Sequence, residues 1–451
     1  MKPYRMLLTL AFVFTALVIF GIAPTHAATN STFTVNSTAD VVDKKPGDGK
    51  CETKKNNGVC TLRAAIQETN ALGGGNTIVL PAGTYRLTIG GWFEDESKKG
   101  DLDIANDLVL KGKGADSTTI DGNQLDTVID IVKGKVVISG VTVRNGKAVS
   151  QTPLYALGGG INVGGRDGKA SLKLVKSVVT GNTTDTSGGG IATRGALKVI
   201  KSRIEQNGSA LGGGIFTDNG ATTITDSMIL YNYGSLGAGG IMASAEVKLV
   251  RSTVGYNSTD SLGGGIWVNR TPSKLLATNS SISSNTSEDN GGGIFNQGTT
   301  TLYNVTLHEN MVNLGKTGAG IYSQDIGTVT LKNTLLSFNM VNGTATISDC
   351  AGIVNSNDYN LLTDTAGCTI NGLTTNNIYN PIANVVTLAN NGGPTWTNAL
   401  AIGSYAIDAG EASGCKGELG VPLTTDQRGS VRPTDGDGNG GARCDIGAFE
   451  K

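Results

Sequence analysis

The 451-residue chain carries 36 basic and 37 acidic side chains, a near-neutral balance that argues against nucleic acid or an anionic membrane as its partner. Its 66 glycines and 5% aromatic content are far from an average globular chain, and without a collagen-like period they require either disorder or a turn-rich repeat. Ile, Val and Leu recur throughout, which excludes disorder. Only His26 and His308 are present, so a multi-histidine zinc site is excluded as well.

Lys2 and Arg5 precede an apolar run from Met6 to Ile22, and Thr25-His26-Ala27 suits cleavage after Ala27. Residues 1–27 therefore read as an export signal. A retained membrane anchor is the alternative, because the run approaches a spanning length. No later stretch is that apolar, so the expected chain is secreted or at the cell surface, with no transmembrane segment after cleavage.

Residues 28–75 form a predicted N-terminal cap. Leu62, Ile66 and Thr69 are spaced for a helix over 61–72, with Thr61 as N-cap and Gly73 as the stop. From residue 76 the organisation is repetitive. Gly-Gly-Gly-Ile occurs with its isoleucine at 161, 191, 215, 266 and 294, and looser copies end at Ile241 and Ile321. A second marker runs in step: Asn145, Asn182, Asn207, Asn232, Asn257, Asn285, Asn310 and Asn339. Between the markers lie short alternating stretches such as Leu197-Lys-Val199, with one buried and one wet face.

A unit of about 25 residues cannot bury its own apolar face, but a stack of such units can. The predicted fold is all-β: a right-handed single-stranded parallel β-helix over 76–345, with an isoleucine column inside and an asparagine ladder at one turn. The glycines supply positive φ and close approach between coils. A β-propeller or a calcium-binding nonapeptide roll is the alternative for such a glycine-rich repeat, but the copies lack the signature of the roll. Residues 346–451 are expected to cap the far end. The six cysteines fall in three pairs near one another in sequence, Cys51 with Cys60, Cys350 with Cys368 and Cys415 with Cys444, all placed outside the repeat body. In an exported chain they suggest disulfides, paired here by proximity.

Cys60-Thr-Leu-Arg-Ala-Ala65 resembles the bacterial module named for its sequence, CSLREA, with Thr61 for Ser and Ala64 for Glu. Asn391-Gly-Gly-Pro-Thr395, Ala406-Ile-Asp-Ala-Gly410, Asp426-Gln-Arg-Gly429 and Cys444-Asp-Ile-Gly-Ala-Phe-Glu450 resemble, in order, the choice-of-anchor Q module. The middle is similar to the polymorphic outer-membrane and pectate-lyase-like β-helices. The resemblance implies a bacterial surface or secreted protein of undefined activity. Anchor-bearing relatives continue into a sorting tail, whereas this sequence stops at Lys451, so free secretion is the expectation.

The residue after each marker isoleucine should point outward. Down the stack these are Asn162, Ala192, Phe216, Met242, Trp267, Phe295 and Tyr322, a stripe with five large apolar groups. Two positions further on, Arg194, Asp218, Asn269, Gln297 and Gln324 form a polar stripe beside it. Aromatic faces for sugar rings beside amides for hydroxyls suit an extended polysaccharide or cell-surface glycan. Cover by the C-terminal segment is the competing reading, and Arg194 with Asp218 also reads as a plain surface ion pair. A β-helix polysaccharide lyase or glycoside hydrolase needs clustered carboxylates, with a basic residue for the lyase. Asp101, Asp103, Asp107, Asp121, Asp126 and Asp130 crowd the early coils without a repeating pattern, so no catalytic residue is assigned. A structural or adhesive surface protein without catalytic activity is the third reading. The one metal-like run is Asp435-Gly-Asp-Gly-Asn-Gly440, in which Asp435, Asp437 and Asn439 match the opening of a calcium loop. Ile446 stands where such a loop needs its glutamate, and an Asp-Gly turn explains the run equally well.

Overall fold

The computed structural model describes residues 30–451 except 93, 150–157, 165–167 and 325, so the expected export signal lies outside the described residues. The chain winds into a right-handed parallel β-solenoid in which each strand pairs with its equivalent in the next coil. On the first face, Ile161, Ile191, Ile215, Ile241, Ile266, Ile294 and Ile321 stand in register and are fully buried. The second face repeats the alternating stretches, as in Ala170–Val175 on Ala196–Ile200. The third face sets Val179, Ile204, Ile229, Val254, Ile282, Leu307 and Leu336 in an inward column. One core runs the length of the rod because neighbouring coils present the same apolar residue to the same interior.

The glycine triplets act in two ways. Gly188, Gly212, Gly263 and Gly291 have φ of +64 to +74°, the left-handed region. The next two glycines lie against the neighbouring coil; a Cβ on Gly189 would sit 2.6 Å from the carbonyl oxygen of Gly213.

Each ladder asparagine is buried at the turn leaving the third face. Asn207 donates through Nδ2 to Asn232 Oδ1 at 3.0 Å and to the Val179 carbonyl, and the same pattern repeats through Asn232, Asn257, Asn285 and Asn310. The series starts at Asn182, not at Asn145. Asn145 has φ +57° and occupies the left-handed position that Gly181 and Gln206 hold in the next coils. Gly146 stands at the ladder position, and its N–H donates to Asn182 Oδ1. At the other end Asn339 donates to the buried carboxylate of Asp349. A serine ladder, not anticipated from the sequence, runs at the turn between the second and third faces. The N–H groups of Ser177, Ser202, Ser227 and Ser252 each donate to the hydroxyl oxygen of the next coil's serine, ending on Ser280.

The N-terminal helix spans Leu62–Leu72, with Thr61 accepting from the Ala64 N–H as N-cap. Thr32–Thr34 adds a strand to Asn76–Leu80, so the cap segment also starts the sheet. The three disulfides are Cys51–Cys60, Cys350–Cys368 and Cys415–Cys444.

Two expected boundaries shift. The stack does not end at 345: Cys350–Asn357, Leu361–Leu362, Cys368–Leu373 and Ile378–Tyr379 add further strands. Cys350 pairs with Ile321 and takes the isoleucine position, so one disulfide joins the last two coils from inside the repeat body. The C-terminal segment then lies along the third face instead of over the end, and Cys368–Leu373 keeps a largely exposed strand. Antiparallel bridges (Val385 with Leu400, Thr425 with Val431, Thr434 with Arg443) shape that segment. Its own core of Ala383, Leu400, Ala406, Ile446 and Phe449 packs on Leu335 and Leu361.

The solenoid is adapted to this cover. The left-handed turn between the second and third faces carries Lys176, Lys201, Asp226 and Arg251 in the earlier coils, then Asn279, Asn304 and Asn333. Those three amides donate to the carbonyls of Thr425, Lys416 and Asp445 of the C-terminal segment. Outward third-face residues likewise change from Arg203 and Met228 to Thr253, Ser281 and Thr306. Ser281 donates to Gln427 Oε1 at 2.7 Å, and Gln427 Nε2 reaches Thr253 Oγ1 and the Trp396 carbonyl.

Candidate functional site

The outward column of the first face holds the expected stripe in register: Phe216 beside Met242, Met242 beside Trp267, Trp267 beside Phe295, Phe295 beside Tyr322. Trp267 meets Phe295 edge-on with centroids 5.6 Å apart, and Phe295 stacks on Tyr322 at 5.4 Å. Coil spacing enforces this proximity, since parallel strands place equivalent residues about 4.8 Å apart. Met242 and Phe295 are buried by their neighbours, while Phe216, Trp267 and Tyr322 are half-buried. Gly237 makes room for the indole, because a Cβ there would lie 2.5 Å from the Trp267 ring.

The polar stripe is also assembled. Trp267 Nε1 donates to Gln297 Oε1 at 3.2 Å, and Gln297 Nε2 donates to Gln324 Oε1 at 2.6 Å. Asn269 donates to Ser244 Oγ, and Arg194 meets Asp218 at 3.2 Å. Among the described residues, the side-chain hydrogen bonds of the C-terminal segment to the solenoid fall on the third face and the turns on either side of it, and its ion pairs on Lys248 and Lys332 of the second face, away from this column.

Towards the N-terminus the same column becomes acidic. Asp103, on Leu102–Ile104, is the register partner of Asp130, on Ile129–Ile131, and Asp130 is the partner of Asn162. Asn162 Nδ2 donates to Asp130 Oδ1 at 3.0 Å. Asp95, from the preceding loop, brings a third carboxylate, and one oxygen from each of the three lies within 4.8 Å of the other two. The loop is held from above by the cap helix. Arg63, paired with Asp40 at 2.6 Å, donates to the carbonyls of Ser97, Gly100 and Asp101. Asp103 is wholly buried: Oδ2 accepts from the Ser97 N–H, and Oδ1 has no partner among the described residues.

Burial pushes the Asp103 carboxyl up to about 8, with Asp130, Glu94 and Asp95 adding repulsion. Burial likewise pushes Asp130 up to about 7 and Asp126 to about 6. Each of these acids binds its proton more tightly folded than unfolded. The stability they contribute is complete below the ordinary value of 3.8 and is lost as pH rises through about 6 to 8. In chelator, the thermal midpoint is expected to fall by several degrees between pH 5 and pH 8. Buried His308, shifted downward, opposes this only on the acid side of its ordinary value of 6.5. A flat or rising midpoint across pH 6.5–8 contradicts the assignment.

The Asp435 run forms a turn in the described structure. Asp435 accepts from the N–H groups of Gly438, Asn439 and Gly440, and Asp437 from Asn439. Asp408 joins them but spends its oxygens on the N–H groups of Gly436, Asp437 and Arg443. Ile446 is buried in the core of the C-terminal segment. Elsewhere, an open furrow of about 510 Å³ lies beside the serine turns, lined by Lys201, Arg203, Asp226, Arg251 and Arg428. Its arginines are paired, Arg203 with Glu205, Arg251 with Asp226 and Arg428 with Asp426.

The sequence placed the aromatic and amide stripes; it missed the acidic end. The usable signal was the interval of 27 to 32 residues carried back from Ile161 to Ile129 and Leu102, which puts Asp130 and Asp103 in the outward position.

No family model matches the chain and no curated protein does, so the resemblance of the two termini rests on their short motifs. Among solved structures, one titled "Crystal structure of pectate lyase Pel9A" superposes with a TM-score of 0.46 at 15% identity, covering 94% of this chain and 98% of that one.

Proposed function

We propose that this protein is an exported β-solenoid that binds an extended glycan along the outward column of its first face. The observation that carries this reading is the Trp267–Phe295–Tyr322 stack with the Gln297–Gln324 amides beside it, on a face apart from the C-terminal segment. Buried Phe295 props the half-buried rings of Trp267 and Tyr322, whose remaining apolar surfaces can meet sugar rings, and side-chain amides can exchange their mutual hydrogen bonds for ligand hydroxyls. Three disulfides fit an oxidising compartment, and among the described residues no helix is long and apolar enough to cross a membrane.

The test is affinity electrophoresis in gels cast with neutral and uronate-rich polysaccharides, each lane read also for released reducing ends and unsaturated uronate. Trp267→Ala is expected to weaken retardation at least about tenfold, since losing an aromatic anchor costs on the order of 2 kcal/mol. Lys201→Ala, in the basic furrow, is expected to leave it unchanged. Product formation would replace this reading with a lyase or hydrolase. Absence of both retardation and product would leave a structural or adhesive role.

A further inference from the structure

We propose that Asp95, Asp103 and Asp130 bind a divalent cation of the calcium class, which clamps the loop before Leu102 onto the first coils of the solenoid. The donor set consists of carboxylate oxygens, the chemistry that calcium prefers over softer metals. Oxygens bound to one calcium at 2.3–2.6 Å stand at most about 5 Å apart, and the three carboxylates already offer oxygens within 4.8 Å of one another. Asp103 supplies the independent sign of a ligand: its side chain is wholly buried, yet Oδ1 has no hydrogen-bond partner among the described residues. An unsatisfied buried carboxylate oxygen beside further carboxylates is costly unless a cation or a proton compensates it.

The site is framed from three directions. Strand register fixes Asp103 beside Asp130, the Asn162 amide orients Asp130, and Arg63 of the cap helix holds the backbone of the loop that carries Asp95. The Asp408–Asp435–Asp437 group differs at this point, because backbone N–H groups already satisfy its carboxylates. The clamp does not depend on glycan binding.

The experiment is calorimetric titration of the chelator-treated protein with CaCl2 at pH 7.5, with the thermal midpoint followed in parallel. One calcium per chain is expected, at a dissociation constant of about 10⁻⁴ M, the range of extracellular calcium modules, together with a raised midpoint. Asp130→Asn should abolish binding. Asp95→Asn, at an exposed loop position that leaves the core intact, should weaken it at least about tenfold. Asp437→Asn should leave it unchanged. No binding up to about 10 mM calcium, tenfold or more above that range, would overturn the proposal. So would binding that survives Asp95→Asn and Asp130→Asn, or that Asp437→Asn removes. If proton sharing alone compensates the acids, calcium gives neither heat nor a midpoint shift, and the proposal fails in that case too.

Discussion

Replacing Asn257 by alanine is expected to lower the free energy of unfolding by about 3–5 kcal/mol, because buried groups left unpaired cost about 1–3 kcal/mol each. Its Nδ2 donates to the Ile229 carbonyl and to Asn285 Oδ1, while its Oδ1 accepts from the N–H and the Nδ2 of Asn232. Alanine removes all four bonds at a site closed to water. The Asn232 N–H is then stranded, and a side-chain-sized void opens between coils. Because the ladder is continuous, the loss falls on a coil interface that every coil beyond it depends on, as expected for a one-dimensional stack. Urea titration gives the answer through the midpoint, with the slope checking that the same surface is exposed. An unchanged midpoint would mean that the ladder only decorates the turn.

The second large effect is expected at Arg432. Its guanidinium is fully buried, meets Glu450 at 3.0 Å and donates to Asn279 Oδ1 on the solenoid and to the carbonyls of Asp445 and Gly447. Arg432→Leu leaves the Glu450 carboxylate buried without its cation, a change that costs about 3–5 kcal/mol. The loss should appear locally. The C-terminal segment is expected to loosen from the third face and become sensitive to protease within 383–451, while the solenoid keeps its far-ultraviolet signal. Combining it with Glu450→Leu should recover part of the loss, since no uncompensated charge then remains. Wild-type protease resistance in the single variant would show that Gln427 and the asparagine turns suffice to hold the segment.

The parts of this protein that repeat are legible in its sequence. The intervals between Ile161 and Ile321 set the coil length, the inward column and the phase of the outward one. Trp267, Phe295 and Tyr322 therefore align with one another by spacing alone. Thr61 and Gly73 likewise mark the cap helix through local backbone chemistry. Legibility ends where the marker changes chemistry while keeping its place. Cys350 takes an isoleucine position, Gly146 a ladder position, and Ile129 and Leu102 carry the column without a glycine triplet.

The tertiary structure alone decided what lies far apart in the chain. The C-terminal segment docks on the third face through pairs such as Ser281 with Gln427, which are 146 residues apart. Asp95, Asp103 and Asp130 converge only because a loop strapped by Arg63 lies over the first strands. The physical reason is the range of the interactions. A solenoid is held by contacts about one coil away, so its pattern recurs about every 25 residues and can be read by eye. Docking and charge convergence each happen once, and a single occurrence leaves no period in the sequence.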